Sequence, residues 1–96
     1  MASENYKGFR FRYVNDVDSK GRIRVYVEKQ PSYGGRSTDS NVIHRWPGKN
    51  GSPPYICFKE ASKPRSYSEA KKLAHQWADA TERYIRTGVP ISDQGN

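Results

Sequence analysis

Apolar and polar residues alternate in two short stretches of the first third of the chain. In residues 8–14, Phe9, Phe11 and Tyr13 fall on one side, and Arg10 and Arg12 on the other. Successive side chains of a strand point to opposite faces, so this run predicts a half-buried strand. Residues 22–29 repeat the pattern, with Ile23, Val25 and Val27 on one side and Arg22, Arg24, Tyr26 and Glu28 on the other. Turn formers fill residues 15–21 between them, and the pair predicts a β-hairpin.

The pattern changes beyond the hairpin. Residues 30–40 carry Pro31, Gly34 and Gly35 and show no periodicity. A connection of that length in a compact domain is either mobile or functional. Residues 41–46 predict a short third strand, residues 47–54 a turn-rich break, and residues 55–58 a buried strand of β-branched and aromatic residues. From Ser66 onward the period becomes helical. Ser66 and Glu69 have capping-box spacing, and Ala70, Leu73, Ala74, Trp77, Thr81, Tyr84 and Ile85 recur at steps of three and four. Gly88 and Pro90 stop the helix, which spans residues 67–87. His75 falls on the polar side of this helix and reads as solvated. Residues 1–6 and 89–96 are polar and read as disordered ends of a single domain over residues 7–88.

These elements predict an α+β fold. A three- to four-stranded antiparallel sheet packs on one C-terminal helix, in the order β-β-β-β-α. The alanines of the helix stripe allow a close approach to the apolar face of the hairpin. A domain of this size buries a small core, so both a monomer and a homodimer fit.

Composition narrows the function classes. The 96 residues carry 17 Lys and Arg against 10 Asp and Glu, a net charge of +7. The excess is spread, +4 over residues 1–48 (nine basic, five acidic) and +3 over residues 49–96 (eight basic, five acidic). A basic folded domain attracts polyanions, nucleic acid above all. One cysteine, Cys57, and two histidines cannot close a four-ligand zinc site or an internal disulfide. No apolar run approaches a membrane span or a secretory leader, which predicts a cytoplasmic protein without a membrane partner. Nothing points to a cofactor. Residues 16–21 imitate the start of a calcium loop, but Lys20 and Val27 stand where oxygen ligands are required.

If the helix covers the apolar face of the hairpin, Arg10, Arg12, Arg22, Arg24 and Tyr26 remain on the other face. Arginine offers a rigid donor fork for phosphates and guanine edges, and a two-stranded ribbon fits a major groove. Lys7, Lys20, Lys29 and Arg36 extend that surface. Tyr33 and Arg36, in the Gly-rich loop, have the chemistry to grip a single strand. His44, Arg45 and Trp46 form a second candidate surface, for a protein partner. His44 with Cys57 has the elements of a nucleophile pair, and His44, Arg45 and Tyr55 those of a ribonuclease toxin, but a buried Cys57 beside Phe58 fits inert core better.

The helix start, Tyr67-Ser68-Glu69-Ala70-Lys71-Lys72-Leu73-Ala74-His75-Gln76-Trp77-Ala78, preceded by strands, resembles the N-terminal arm-site DNA-binding domain of phage-type tyrosine integrases. Those domains are in turn similar to plant AP2 domains. The resemblance rests on residues 55–88 by motif and on the hairpin by pattern. It implies a three-stranded sheet on a C-terminal helix, with the sheet in the major groove and Arg10, Arg12, Arg22 and Arg24 facing it. The family's strands are closely spaced, whereas residues 30–40 and 47–54 lengthen the connections here. The expected function is therefore a non-enzymatic nucleic-acid-binding domain, with DNA favoured over RNA. The alternative is an interaction module of a phage or mobile element that binds an acidic protein or itself.

Overall fold

The structure, a computed structural model, describes residues 2–48 and 50–94. Strands β1 (Ala2–Tyr6), β2 (Phe9–Asn15) and β3 (Ile23–Lys29) are followed by a four-residue helix, α1 (Ser40–Ile43). Two short strands, β4 (Arg45–Trp46) and β5 (Tyr55–Ile56), precede the long helix α2 (Tyr67–Thr87). The strands form one antiparallel sheet in the order β1-β2-β3-β5-β4. The α+β class and the single long C-terminal helix agree with the sequence reading.

The alternation of the hairpin explains the layering. Phe9, Phe11, Tyr13, Val25 and Val27 are buried on one face of the sheet. Against them lie Ala70, Ala74, Trp77 and Ala78 of α2. The alanines carry no bulk beyond Cβ, so the backbone of the helix can sit close to the sheet. Trp77 fills the remaining space, its indole edge-on to Phe9 at 5.7 Å and to Phe11 at 6.2 Å. The indole Nε1 donates to the carbonyl of Ile43 at 2.9 Å, which fastens α1 to the core. Ser66 caps α2 by accepting from the amide of Glu69, and Glu69 accepts in return from the amide of Arg65. Gly88 ends α2 with a left-handed φ of 81°.

Several expectations require correction. Residues 1–6 are not a disordered end: Ala2–Tyr6 pairs with β2 as the fifth strand, Met1 lying outside the described residues. Lys7 and Gly8 join the two strands with φ of 46° and 88°, the double positive φ of a two-residue hairpin turn whose twist suits its strands. The end of the chain is also ordered through Gln94. Ile91–Asp93 forms a 3-10 turn, and the Gln94 amide donates to the carbonyls of Ala80 and Val89. Gly95 and Asn96 of the expected tail lie outside the described residues. Residues 41–46 are mostly not strand: Val42 and Ile43 turn into α1, and His44 ends it at φ 52°. The buried strand at residues 55–58 shrinks to two residues.

The connection over residues 30–40 straps the C-terminal half of α2. Tyr33 packs with Ile43 and Tyr84 in a second small core. The Tyr84 hydroxyl donates to the carbonyl of Ser37 at 2.7 Å, and Arg36 Nε donates to the carbonyl of Ile85 at 3.1 Å. A cation at the last turn of a helix meets its unpaired carbonyls and the negative end of its dipole.

His75 is half-buried and engaged rather than free in solvent. Its ring stacks on Tyr6 at 3.9 Å, almost parallel, and its Nε2 lies 2.7 Å from Glu4 Oε1. Tyr13 also donates its hydroxyl to Glu4, and Lys71 stands 3.7 Å away. An inward-pointing charge on an edge strand opposes pairing with another chain. Here it also joins β1 to α2. Burial pushes the Glu4 carboxyl up, but the bonds from Tyr13 and His75 and the charges of His75 and Lys71 outweigh it, so Glu4 titrates below its ordinary 4.5. The folded state thus binds this proton more weakly than the unfolded chain. The resulting stability is complete above the ordinary value and disappears as the pH falls through the lower, folded-state one. The variant Glu4→Gln is expected to be less stable than the parent at neutral pH, with the gap closing as the pH falls below the ordinary 4.5. Urea unfolding across that range checks it, and a gap that does not change with pH contradicts the assignment.

Candidate nucleic-acid interface

α2 covers one face of the sheet and leaves the other without a layer. The registers place one straight row of side chains across that open face. Ser3 pairs with Arg12, Arg12 with Tyr26, Tyr26 with Tyr55, and Tyr55 with Trp46. Directly paired residues share a face, so the row crosses all five strands. Its members touch. The Arg12 guanidinium lies 4.7 Å over the ring of Tyr26, and the Arg24 guanidinium lies 4.2 Å over Tyr55 and 6.0 Å from Tyr26. Tyr26 and Tyr55 meet edge to face at 6.0 Å. At the end of the row Trp46 is 46% exposed, unusual for so large an apolar residue.

The arginines of this face are already engaged. The register of β2 and β3 slips between Arg10 and Phe11, leaving Glu28 as the extra residue of a β-bulge. Glu28 then serves both neighbours, with Arg12 Nε at 2.8 Å and Arg10 Nε at 3.5 Å. Arg10 also donates to Asn5 Oδ1. Arg24 is held by Asp18 at 2.7 Å and Asp16 at 3.3 Å, and its side chain is only 12% exposed. Burial would lower the pKa of Arg24, but Tyr26, Asp18 and Asp16 outweigh it and hold the guanidinium above its ordinary value. Asp16 is the buried pivot of the hairpin tip. It accepts from the amide of Asp18 at 2.8 Å and pairs with Lys63 at 3.3 Å. Burial raises its pKa, and the Asp18 amide with Lys63 and Arg24 more than reverses that, to below the ordinary 3.8. The carboxylate that imitated a calcium ligand is thus a partner for cations of the protein itself.

The remaining expected site residues divide. Tyr26 stands in the middle of the row. Arg22 donates to the carbonyl of Lys63 and ties the hairpin tip to the segment before α2. Arg36 lies in the helix layer, against Ile85 and Gly88, and is not part of the open face. His44, Arg45 and Trp46 do not form one surface. Arg45 pairs with Ile56 on the helix side and lies 5.5 Å over Tyr33, whereas Trp46 pairs with Tyr55 on the open side. His44 and Trp46 share a cleft of about 360 Å³ with Cys57 and Phe58. Arg45 and Tyr55 lie on opposite faces, so the three residues expected for a ribonuclease do not converge. Ser3, Tyr55 and Trp46 are the members of the row that the sequence reading did not place there, and it assigned no binding surface to Tyr55. The signal was its aromatic ring beside two prolines; its neighbour in the sheet was not visible.

A second feature adjoins the row. A cleft of about 230 Å³ opens between the hairpin tip and the loop before β5. Tyr26, Tyr55 and Arg24 line it, with Val17, Asp18, Gly48 and Ser52 at its margins. Val17 is 87% exposed. Among the described residues, no group of three or more His, Cys, Asp or Glu is placed to hold a metal ion, and no helix is long and apolar enough to cross a membrane. No family model, curated protein or solved structure matches this chain.

Two substitutions separate the two kinds of ion pair. Asp16→Asn strips a buried hub of its charge and is expected to lower stability by about 1–3 kcal/mol. Glu28→Gln breaks partly exposed pairs and is expected to change it by less than about 1 kcal/mol. Chemical denaturation of both variants checks the contrast, which equal losses would contradict.

Proposed function

We propose that this chain is a small nucleic-acid-binding domain that holds its ligand on the open face of the sheet without acting on it chemically. The observation that carries the reading is the uncovered row of Arg12, Tyr26, Tyr55 and Trp46, in a chain of net charge +7. Guanidinium groups and aromatic rings together suit the two surfaces a nucleic acid offers, phosphates and base planes. Lys20 and Lys29 are exposed and add to the positive field that steers a polyanion towards the sheet, whereas Lys7 pairs with Asp79 of α2 at 3.4 Å on the helix side. The likeness to arm-site integrase domains points the same way, since those domains use the sheet face opposite their helix.

The structure also changes which arginines should test the idea. Arg24 and Arg22 hold the hairpin tip, so their removal would disturb the fold. Arg10 and Arg12 are more exposed. The double variant Arg10→Ala/Arg12→Ala is expected to fold and to bind mixed-sequence oligonucleotides about tenfold more weakly than the parent at about 50 mM salt. Binding by the parent should fall steeply between about 50 and 200 mM salt, and the variant should show a shallower slope. Fluorescence anisotropy reads both. Binding that the double variant leaves unchanged removes the open face as the contact. No binding at all turns the search to an acidic protein or a second copy, with exposed Trp46 and its cleft as the surface to probe.

A further inference from the structure

The nucleic-acid reading leaves open whether the ligand is paired. A duplex offers groove edges and phosphates, and an arginine that reads them must project its donor fork outward. On this face the forks are partly committed. Arg24 and Arg12 pack over tyrosine rings, Asp16 and Asp18 bind Arg24 through Nη2, and Glu28 binds Arg12 through Nε. What the row offers to a partner is aromatic and guanidinium surface: the half-exposed indole of Trp46, the half-buried tyrosine rings and the partly exposed Arg12. From β2 to β4 the row crosses three strand spacings, about 14 Å. That length accommodates about two or three stacked bases.

The cleft beside the row adds a second argument. Its lining combines the aromatic Tyr26 and Tyr55 and the exposed, apolar Val17 with Arg24, Gly48 and Ser52. Asp18, with its side chain 72% exposed, stands at its margin. A carboxylate there repels phosphates but accepts from the N–H groups of a base. Those groups on the Watson–Crick edge are free only when the base is unpaired. A base pair within a duplex cannot enter such a recess.

We infer that the open face takes single-stranded nucleic acid, with one unpaired base in the cleft beside the touching rings of Tyr26 and Tyr55 and its neighbours stacked along Arg12 and Trp46. This rests on the nucleic-acid reading above and goes beyond it in naming the unpaired base as the ligand. Asp18 accepts from the edge of the lodged base. Lys20 and Lys29 supply attraction to the backbone.

The test compares a labelled mixed-sequence single strand of about 12 nucleotides with the duplex of the same sequence, at one salt concentration. The parent is expected to bind the single strand at least about tenfold more tightly, with quenching of Trp46 emission as bases stack on it. Trp46→Leu, at an exposed position, should weaken single-strand binding about tenfold without changing its salt slope. Asp18→Ala distinguishes the roles by sign. Removing a negative charge strengthens a purely electrostatic contact, whereas losing a base acceptor weakens single-strand binding. Circular dichroism and a melting curve establish that both variants fold. Equal or tighter binding of the duplex, or single-strand binding untouched by Trp46→Leu and raised by Asp18→Ala, overturns this inference while the Arg10/Arg12 result still stands for the nucleic-acid reading. Failure to bind either form removes both.

Discussion

One helix for five strands is the constraint behind the rest of this molecule. The buried apolar residues of β2 and β3 lean to one side because strand side chains alternate, and α2 has one stripe with which to cover them. Ala70, Ala74 and Ala78 let the helix settle, and Trp77 locks against Phe9 and Phe11. Trp77 also holds the carbonyl of Ile43, so the strap of residues 30–40 and the short helix depend on the same side chain. The opposite face receives no second layer. Its residues must then be stable in water and compatible with each other, and the ion pairs and cation–π contacts of the open face achieve this.

Those contacts also limit what the open face can do. Two carboxylate centres, Glu28 at the bulge and Asp16 at the hairpin tip, hold the arginines down. A field of free guanidinium groups would bind phosphates with little selectivity. Arginines packed over tyrosines are partly desolvated, which favours contact with another planar group.

The edge strand shows how a weak local signal gains meaning in the fold. Ala2–Tyr6 has no apolar run and carries Glu4 at its centre, so by itself it reads as a polar end. Paired with β2, its inward side chains meet Tyr13 and His75, and the charge that argued against a strand becomes its attachment to α2. The same partner explains His75, which lies among polar helix residues yet stacks on Tyr6. Arg36 is the converse case. Its type and its glycine-rich setting suit a polyanion, and its position commits it to the carbonyls of α2.

Periodicity alone determined much of this protein. The hairpin, the face each of its residues takes, the helix with its Ser66 cap and Gly88 stop, and the α+β class follow from steps of two and of three to four, which are local properties of the backbone. The tertiary structure decided the rest. Strands of two residues, such as Arg45–Trp46 and Tyr55–Ile56, carry no period of their own, so only pairing fixes which face their side chains occupy. Tyr55 and Trp46 therefore joined Tyr26 and Arg12 through registers that link residues distant along the chain. The arginines were legible as a face, but their partners were not. An ion pair depends on which carboxylate the bulge or the hairpin tip brings within reach, and spacing along the sequence does not encode that distance.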